Sequence, residues 1–257
     1  MNLTALLLTE LFGTMLLIIL GNGIVANVVL KGTKGNNAGW LAITFGWGFA
    51  VFTAALISGA LNGAGWLNPA VMIGAVISSK GDVLTQLTSG SGAGAAGLFI
   101  GVLALQLIGA MLGQIIIDLL YYKHIQMTLF GNDEFATSNV LAMHSTGPTT
   151  KSTWFNFGME FVGTMVLVFA ILSLGQSKME GAIFGPVAVA IVIIAIGLSL
   201  GGTTGYAINP VRDLGPRIVH MLAPISGKGK SDWGYSWIPV AAPMAAGIIA
   251  GALFLAF

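Results

Sequence analysis

The chain has 257 residues, 56% of them hydrophobic and 7% charged, with a mean hydropathy of +0.91. A soluble domain carries about 25% charged residues, so a surface this poor in charge excludes an ordinary water-soluble domain and makes lipid the solvent. The formal net charge of +1 argues against a nucleic-acid partner, and the absence of cysteine removes disulfides and thiolate chemistry.

Crossing the hydrocarbon takes about 20 apolar residues. The first apolar run, Leu3–Leu30, lacks a basic leader and is too long for the apolar core of a signal peptide, so it predicts a retained membrane helix. A second span is predicted over Trp40–Ala60. The third covers Gly94–Tyr121, the fourth Phe155–Leu174, the fifth Ala182–Leu200 and the sixth Trp237–Phe257. Two apolar pieces, Pro69–Ile77 and Pro210–Leu222, are too short to span, and each starts at Asn-Pro. Proline suits the first turn of a helix because its missing N–H would be unpaired there. Each piece therefore reads as a half-helix. The glycine-rich stretches before them suit irregular backbone, which at membrane depth must line a cavity or be buried in protein.

The connections hold most of the remaining polarity. The stretch after the first half-helix, "SSKGDVLTQLTSGSGAGAAG", reads as a flexible turn region. The longest connection, residues 122–153, reads as a solvated loop carrying His124 and His144. The three histidines show no metal-ligand spacing, and no phosphate-binding loop, nucleophile constellation or paired catalytic carboxylates appear. Neither an enzyme, a cofactor nor a metal is expected. Gly97 with Gly101, and Gly109 with Gly113, are spaced for close helix packing.

The chain also repeats itself. "ELFGTMLLIIL" starts at Glu10 and "EFVGTMVLVFA" at Glu160, and each is followed by a second span and an Asn-Pro half-helix. Three spans per half is an odd number, so the halves face opposite ways across the bilayer. The reading is one transmembrane domain over 1–257, with repeats near 1–121 and 154–257 joined by 122–153. In that arrangement the half-helix N-termini meet near the midplane, each with unpaired N–H groups and about half a positive charge. Asn68 and Asn209 add side-chain amides. Such a centre donates hydrogen bonds to a passing hydroxyl and repels protons and cations. A single Asn-Pro would be read as a plain helix cap; two in inverted repeats point to a conduit for neutral polar molecules.

These features resemble the aquaporin superfamily: the boxes Asn68-Pro69-Ala70 and Asn209-Pro210-Val211, the glutamate-led repeats, and "GYAINPVRDLGPR" from Gly205. Asp213 after Arg212 resembles the glycerol-conducting branch. The resemblance implies an all-α membrane protein with six transmembrane helices and two re-entrant half-helices. It implies passive conduction of glycerol, water and other small uncharged solutes, with protons and ions excluded. It also implies a constriction from Arg212, Tyr206, Gly197 and Trp47, with Phe45 or Gly48 selected instead of Trp47 by a different gap before Asn68. Arg212 offers a fork of donors to hydroxyl oxygens, and the two aromatics a greasy corner for carbon. Glu10, Glu160, Gln106 and Asp213 are read as structural supports. The competing function is a proton- or ion-coupled transporter using Glu10 and Glu160, since intramembrane carboxylates are functional candidates.

The resemblance further implies homotetramers in the cell membrane with cytoplasmic termini. The lysines would put more positive charge on the opposite side: Lys31, Lys34, Lys123, Lys151, Lys228 and Lys230 against Lys80 and Lys178. Three departures stand out. Val211 replaces the usual alanine, Trp66 stands near a position often held by histidine, and Tyr206 adds a hydroxyl at the constriction.

Overall fold

The computed structural model describes residues 2–176 and 183–257, and the described residues form helices and turns without a strand. Helix α1 is Leu3–Val29, α2 Gly39–Ala60, α3 Pro69–Ser78, α4 Asp82–Thr85 and α5 Gly92–Leu129. Helix α6 is Ala136–Ala142, α7 Thr153–Gln176, α8 Phe184–Ser199, α9 Pro210–Leu222 and α10 Ile238–Phe254. Four of them (α1, α2, α5 and α7) are long and apolar enough to cross a membrane, and α8 and α10 are shorter apolar helices of 16 and 17 residues. With these six, α3 and α9 complete the fold as half-helices. The predicted fifth span begins at Ala182, outside the described residues, as does Lys178.

Large apolar side chains cover the outside: Phe12, Phe45, Phe49, Ile100 and Ile191 are exposed. Polar groups are collected inside, where Glu10, Gln106, Glu160, Asp213 and Arg217 have no solvent exposure. This is the inverse of a soluble domain and follows from the solvent being hydrocarbon.

The two halves are interlocked by an exchange of half-helices. Helix α3 packs on α10, from the second half, while α9 packs on α5, from the first. Small residues allow the approach. A Cβ on Gly247 would lie 2.3 Å from the Ala70 carbonyl oxygen, and one on Gly215 would lie 2.8 Å from Ala110 Cβ. The α1–α5 seam uses Gly109 and Gly113, whose Cβ atoms would strike the carbonyl oxygens of Leu11 and Met15. Gly97 and Gly101, expected to do the same, face nothing within 4 Å. A small-residue stripe fixes a contact only where another backbone lies opposite, and none does there.

The connections are more ordered than expected. The stretch after α3 holds α4 and a 3₁₀ turn over Gln86–Thr88, with Leu84 buried. Helix α5 runs eight residues beyond Tyr121, so much of the expected loop is helix, and α6 occupies another part. His124 therefore lies on α5, with Nδ1 3.0 Å from the Lys31 carbonyl. His144 is not solvated at all. It is fully buried, with Nδ1 2.7 Å from the Val140 carbonyl and Nε2 3.0 Å from Asp118.

Candidate functional site: a collar between two cavities

The site begins with two strained turns. Leu67 and Ile208, each just before an Asn-Pro box, have φ of 53° and 42°. A bulky or β-branched residue avoids positive φ, so something must hold these turns. The glutamates do. Glu10 accepts from the Trp66 and Leu67 N–H groups at 2.9 and 2.8 Å, and Glu160 from Ala207 and Ile208 at 3.0 and 2.8 Å. Gln106 adds a third donor to Glu10 at 2.7 Å. Three positions after each glutamate stands a glycine, and its missing side chain leaves room for the strained residue. A Cβ on Gly13 would meet Leu67 at 2.5 Å, and one on Gly163 would meet Ile208 at 3.1 Å. The glutamate repeat therefore has a local purpose: carboxylate and glycine together fix the turn that feeds each half-helix.

In a trans peptide the carbonyl points opposite to the N–H. With the Trp66, Leu67, Ala207 and Ile208 N–H groups aimed at glutamates, the carbonyls of Gly65, Trp66, Tyr206 and Ala207 point the other way. All four residues line an internal cavity of about 280 Å³. The turns thus present acceptors to whatever occupies that space.

The boxes meet as a reciprocal pair. Asn68 Nδ2 donates to the Ile208 carbonyl and Asn209 Nδ2 to the Leu67 carbonyl, each at 2.8 Å. Each Oδ1 caps its own helix, accepting from Ala70 at 2.9 Å or from Val211 and Arg212 at 3.2 and 3.3 Å. Pro69 and Pro210 occupy the first turns. An amide nitrogen carries two hydrogens, so each asparagine keeps one donor beyond this mutual lock. Both asparagines line the cavity. Val211 is buried in the central apolar cluster that also holds Val71.

Arg212, Trp47 and Tyr206 line this cavity and also a second one, of about 300 Å³, on the side of residues 145–149 and 201–205. They form the collar where the two spaces meet. The Arg212 guanidinium lies 4.3 Å from the Trp47 ring, within cation–π range. Arg212 is 5% exposed, yet its guanidinium makes no hydrogen bond to any described residue. An arginine buried at membrane depth requires partners or water, and these donors are left for an occupant of the collar. Arg217, five residues on, is the contrast: it donates to Asp213, Thr146, Ser231 and Asp232.

The three alternatives on α2 lie in different places, and of them Trp47 lines both cavities. Trp47 is buried, with its ring over Gly21, where a Cβ would sit 2.2 Å away. Phe45 is 42% exposed and faces outward, and Gly48 packs on Ile194. Gly197 makes space for Tyr206: a Cβ there would lie 2.8 Å from Cζ and 2.7 Å from Thr44 Cγ2. The Tyr206 hydroxyl is shielded from solvent over Gly197, without a hydrogen-bond partner among the described residues. The hydroxyl expected at the aperture is thus shielded in this structure, while Tyr206 lines both cavities.

The sequence reading passed over two contributors. Trp40 stacks edge-on against Tyr206 at 5.6 Å between ring centres and donates from its indole to the Gly197 carbonyl at 3.0 Å. Thr146 ties Asp213 to the connection after α6. An aromatic at the end of an apolar span gives no signal of this, and a threonine in a long polar connection gives less.

The carboxylates of the competing transporter reading do not line either cavity. Both oxygens of each are engaged with loop N–H groups. That is the geometry of a brace, and proton coupling is not favoured. The described residues contain no cluster of three potential metal ligands.

The major intrinsic protein family model matches residues 1–254. The chain is 47% identical over 248 residues to a glycerol uptake facilitator protein of Streptococcus pneumoniae, covering 96% of this chain and 97% of that one. It is 44% identical over 248 residues to glycerol uptake facilitator protein 3 of Lactiplantibacillus plantarum, covering 96% and 95%. Among solved structures, the aquaglyceroporin of Plasmodium falciparum superimposes with a TM-score of 0.79 at 26% identity, covering 98% of this chain and 96% of that one.

Proposed function

The chain belongs to the major intrinsic protein family, whose members are channels and not enzymes, and from that premise we propose that it conducts glycerol, water and other small uncharged solutes passively. The observation that carries this reading is the collar. Arg212 supplies unpaired donors, and the Trp47 ring against which it lies, together with the Tyr206 ring, supplies apolar wall. A polyol has the matching halves, hydroxyls along one edge and carbon along the other.

Passage is stepwise hydrogen-bond exchange. At the collar a hydroxyl oxygen accepts from Arg212 while the carbon chain lies against the rings. Farther along, hydroxyls donate to the turn carbonyls and accept from the spare Nδ2 hydrogens of Asn68 and Asn209. Each protein bond replaces one to water, so the solute loses little on desolvation. Cations and protons meet Arg212 and two converging helix N-termini, all of positive character, and are repelled. Nothing in this sequence of contacts requires a driving ion.

The 42–47% identity to glycerol uptake facilitators of bacteria supports glycerol as a solute. The same relationship supports a homotetramer in the cell membrane with both termini cytoplasmic, which sets the family precedent above the lysine bias. Selective roles for Gly197, through the space it leaves for Tyr206, and structural roles for Gln106, Asp213 and Val211 belong to this proposal.

Stopped-flow light scattering on proteoliposomes tests it. Glycerol and water permeabilities above those of empty vesicles are expected, without accumulation under an imposed pH gradient. Permeabilities equal to empty vesicles, or uphill glycerol uptake driven by acid, would overturn it.

A further inference from the structure

Residues 143–149 are the first part of the connection from α6 to α7, and Ser145, Thr146, Gly147 and Thr149 among them line the cavity that lies beyond the collar. Their start is fixed by a buried network. His144 reaches Asp118, its carbonyl accepts from Asn22 Nδ2 at 2.9 Å, and Gln114 bridges Asn22 and Asp118 at 2.6 and 2.8 Å. Their end is zipped to the turn that carries Tyr206. Thr149 donates to the Thr203 carbonyl from its N–H at 2.9 Å and its hydroxyl at 3.2 Å.

Between these ends sits Thr146, 5% exposed. Its N–H and hydroxyl both donate to Asp213 Oδ2, at 2.8 and 2.6 Å, and its carbonyl accepts from Arg217 at 2.7 Å. Asp213 and Arg217 are a fully buried pair four residues apart on α9, joined at 2.8 Å. The other face of Thr146 rests on Gly205, where an added Cβ would lie 3.2 Å from Thr146 Cβ and Cγ2. Gly205 has φ of +86° and immediately precedes Tyr206, while Asp213 immediately follows Arg212. Thr146 is thus bonded or packed against a direct neighbour of two collar residues at once, and it comes from a segment outside both boxes.

We propose that Thr146 is a positioning residue for the collar: through its hydroxyl and N–H on Asp213 it sets the spacing between the Tyr206 turn and the Arg212 helix, and hence which solutes pass. Without the hydroxyl bond the connection shifts on its Asp213 anchor, and the Gly205–Tyr206 turn loses its fixed backstop. The aperture then widens or wanders, which affects a close-fitting polyol more than water. This rests on the reading of the collar as the selective constriction.

The test compares Thr146→Val, which keeps the shape and removes the hydroxyl, with Thr146→Ser, which keeps the hydroxyl. Glycerol and water permeabilities are read from the same proteoliposomes, with Gly197→Ala as a direct perturbation of the collar. A misplacement on the order of 1 Å changes rates steeply, so the glycerol-to-water ratio of Thr146→Val is expected to fall by about threefold or more, with Thr146→Ser restoring it. A Thr146→Val ratio equal to wild type while Gly197→Ala shifts it would overturn the role of Thr146 alone. Unchanged ratios in both would overturn the collar reading with it. Equal behaviour of the valine and serine variants would also refute the hydroxyl's part. If Thr146→Val does not fold, Thr149→Val, which removes only the hydroxyl bond to Thr203, replaces it: a lowered ratio is expected, and an unchanged one refutes the proposal.

Discussion

Gly197→Ala is the sharpest perturbation of the collar, because it adds one methyl group and removes no polar contact. In the native structure that methyl would lie 2.7 Å from Thr44 Cγ2, 2.8 Å from Tyr206 Cζ and 3.0 Å from its hydroxyl. An ordinary contact begins near 3.4 Å, so the ring must retreat by about 0.6 Å or α8 must back away from α2. Trp40 stands edge-on beside the ring, and Gly201 closes another direction, its own Cβ position being only 2.5 Å from Tyr206 Cδ1. The remaining direction is into the passage. Overpacking of this kind costs about 1–3 kcal/mol. If the upper part of that range falls on a solute at the collar, glycerol flux drops by about tenfold for each 1.4 kcal/mol. Water is narrower than a polyol, so the same narrowing hinders it less, and its flux is expected to fall by less than about threefold. Stopped-flow measurements on one vesicle preparation, under a glycerol gradient and then an impermeant-sugar gradient, give both numbers. Adding Thr44→Ser removes the second clash while keeping the hydroxyl that bonds the Trp40 carbonyl, and should restore part of the glycerol flux. Equal loss of both fluxes would refute the reasoning, as would glycerol flux within about twofold of wild type.

Tyr206→Phe deletes a buried hydroxyl that has no partner; it should leave the solute ranking unchanged and raise stability by about 1 kcal/mol, read from thermal unfolding in detergent, and a reordered ranking would restore the hydroxyl to the aperture. Glu160→Gln puts an amide where two N–H donors converge on a carboxylate at 3.0 and 2.8 Å; a loss of about 2–3 kcal/mol is expected, and wild-type stability would remove the brace role. Asn209→Asp keeps the helix cap but loses the donor to the Leu67 carbonyl and adds negative charge at the converging N-termini; measurable cation conductance in planar bilayers is expected, and an electrically silent variant would count against the positive centre as the barrier to ions.

The half-helices and the glutamates were legible in the sequence because each is a local statement with a fixed chemical meaning. Asn-Pro is at once a cap and a first-turn proline, and both functions appear in the cap bonds of α3 and α9. A carboxylate in an apolar helix must find donors, and both glutamates found the strained turns before the boxes. Trp47 was harder. Helix α2 is apolar on every side, so no stripe marks the face that turns inward, and Phe45, Trp47 and Gly48 read alike until Gly21 supplied the gap that only one of them fills. The connection 122–153 misled for the opposite reason. Its polar residues suggest solvation, but His144 and Thr146 are buried because their partners, Asp118 and Asp213, are buried too.

The sequence by itself therefore determined what must face away from lipid: two capped half-helix starts, two carboxylates and one arginine, whose polarity the hydrocarbon would not tolerate unpaired. Tertiary structure decided the aperture. Which aromatic reaches both cavities, where the Tyr206 hydroxyl goes and which distant threonine bonds Asp213 and packs on Gly205 all depend on gaps a few tenths of an ångström wide between segments far apart in the chain. Those gaps are a property of packing, and no periodicity in the sequence encodes them.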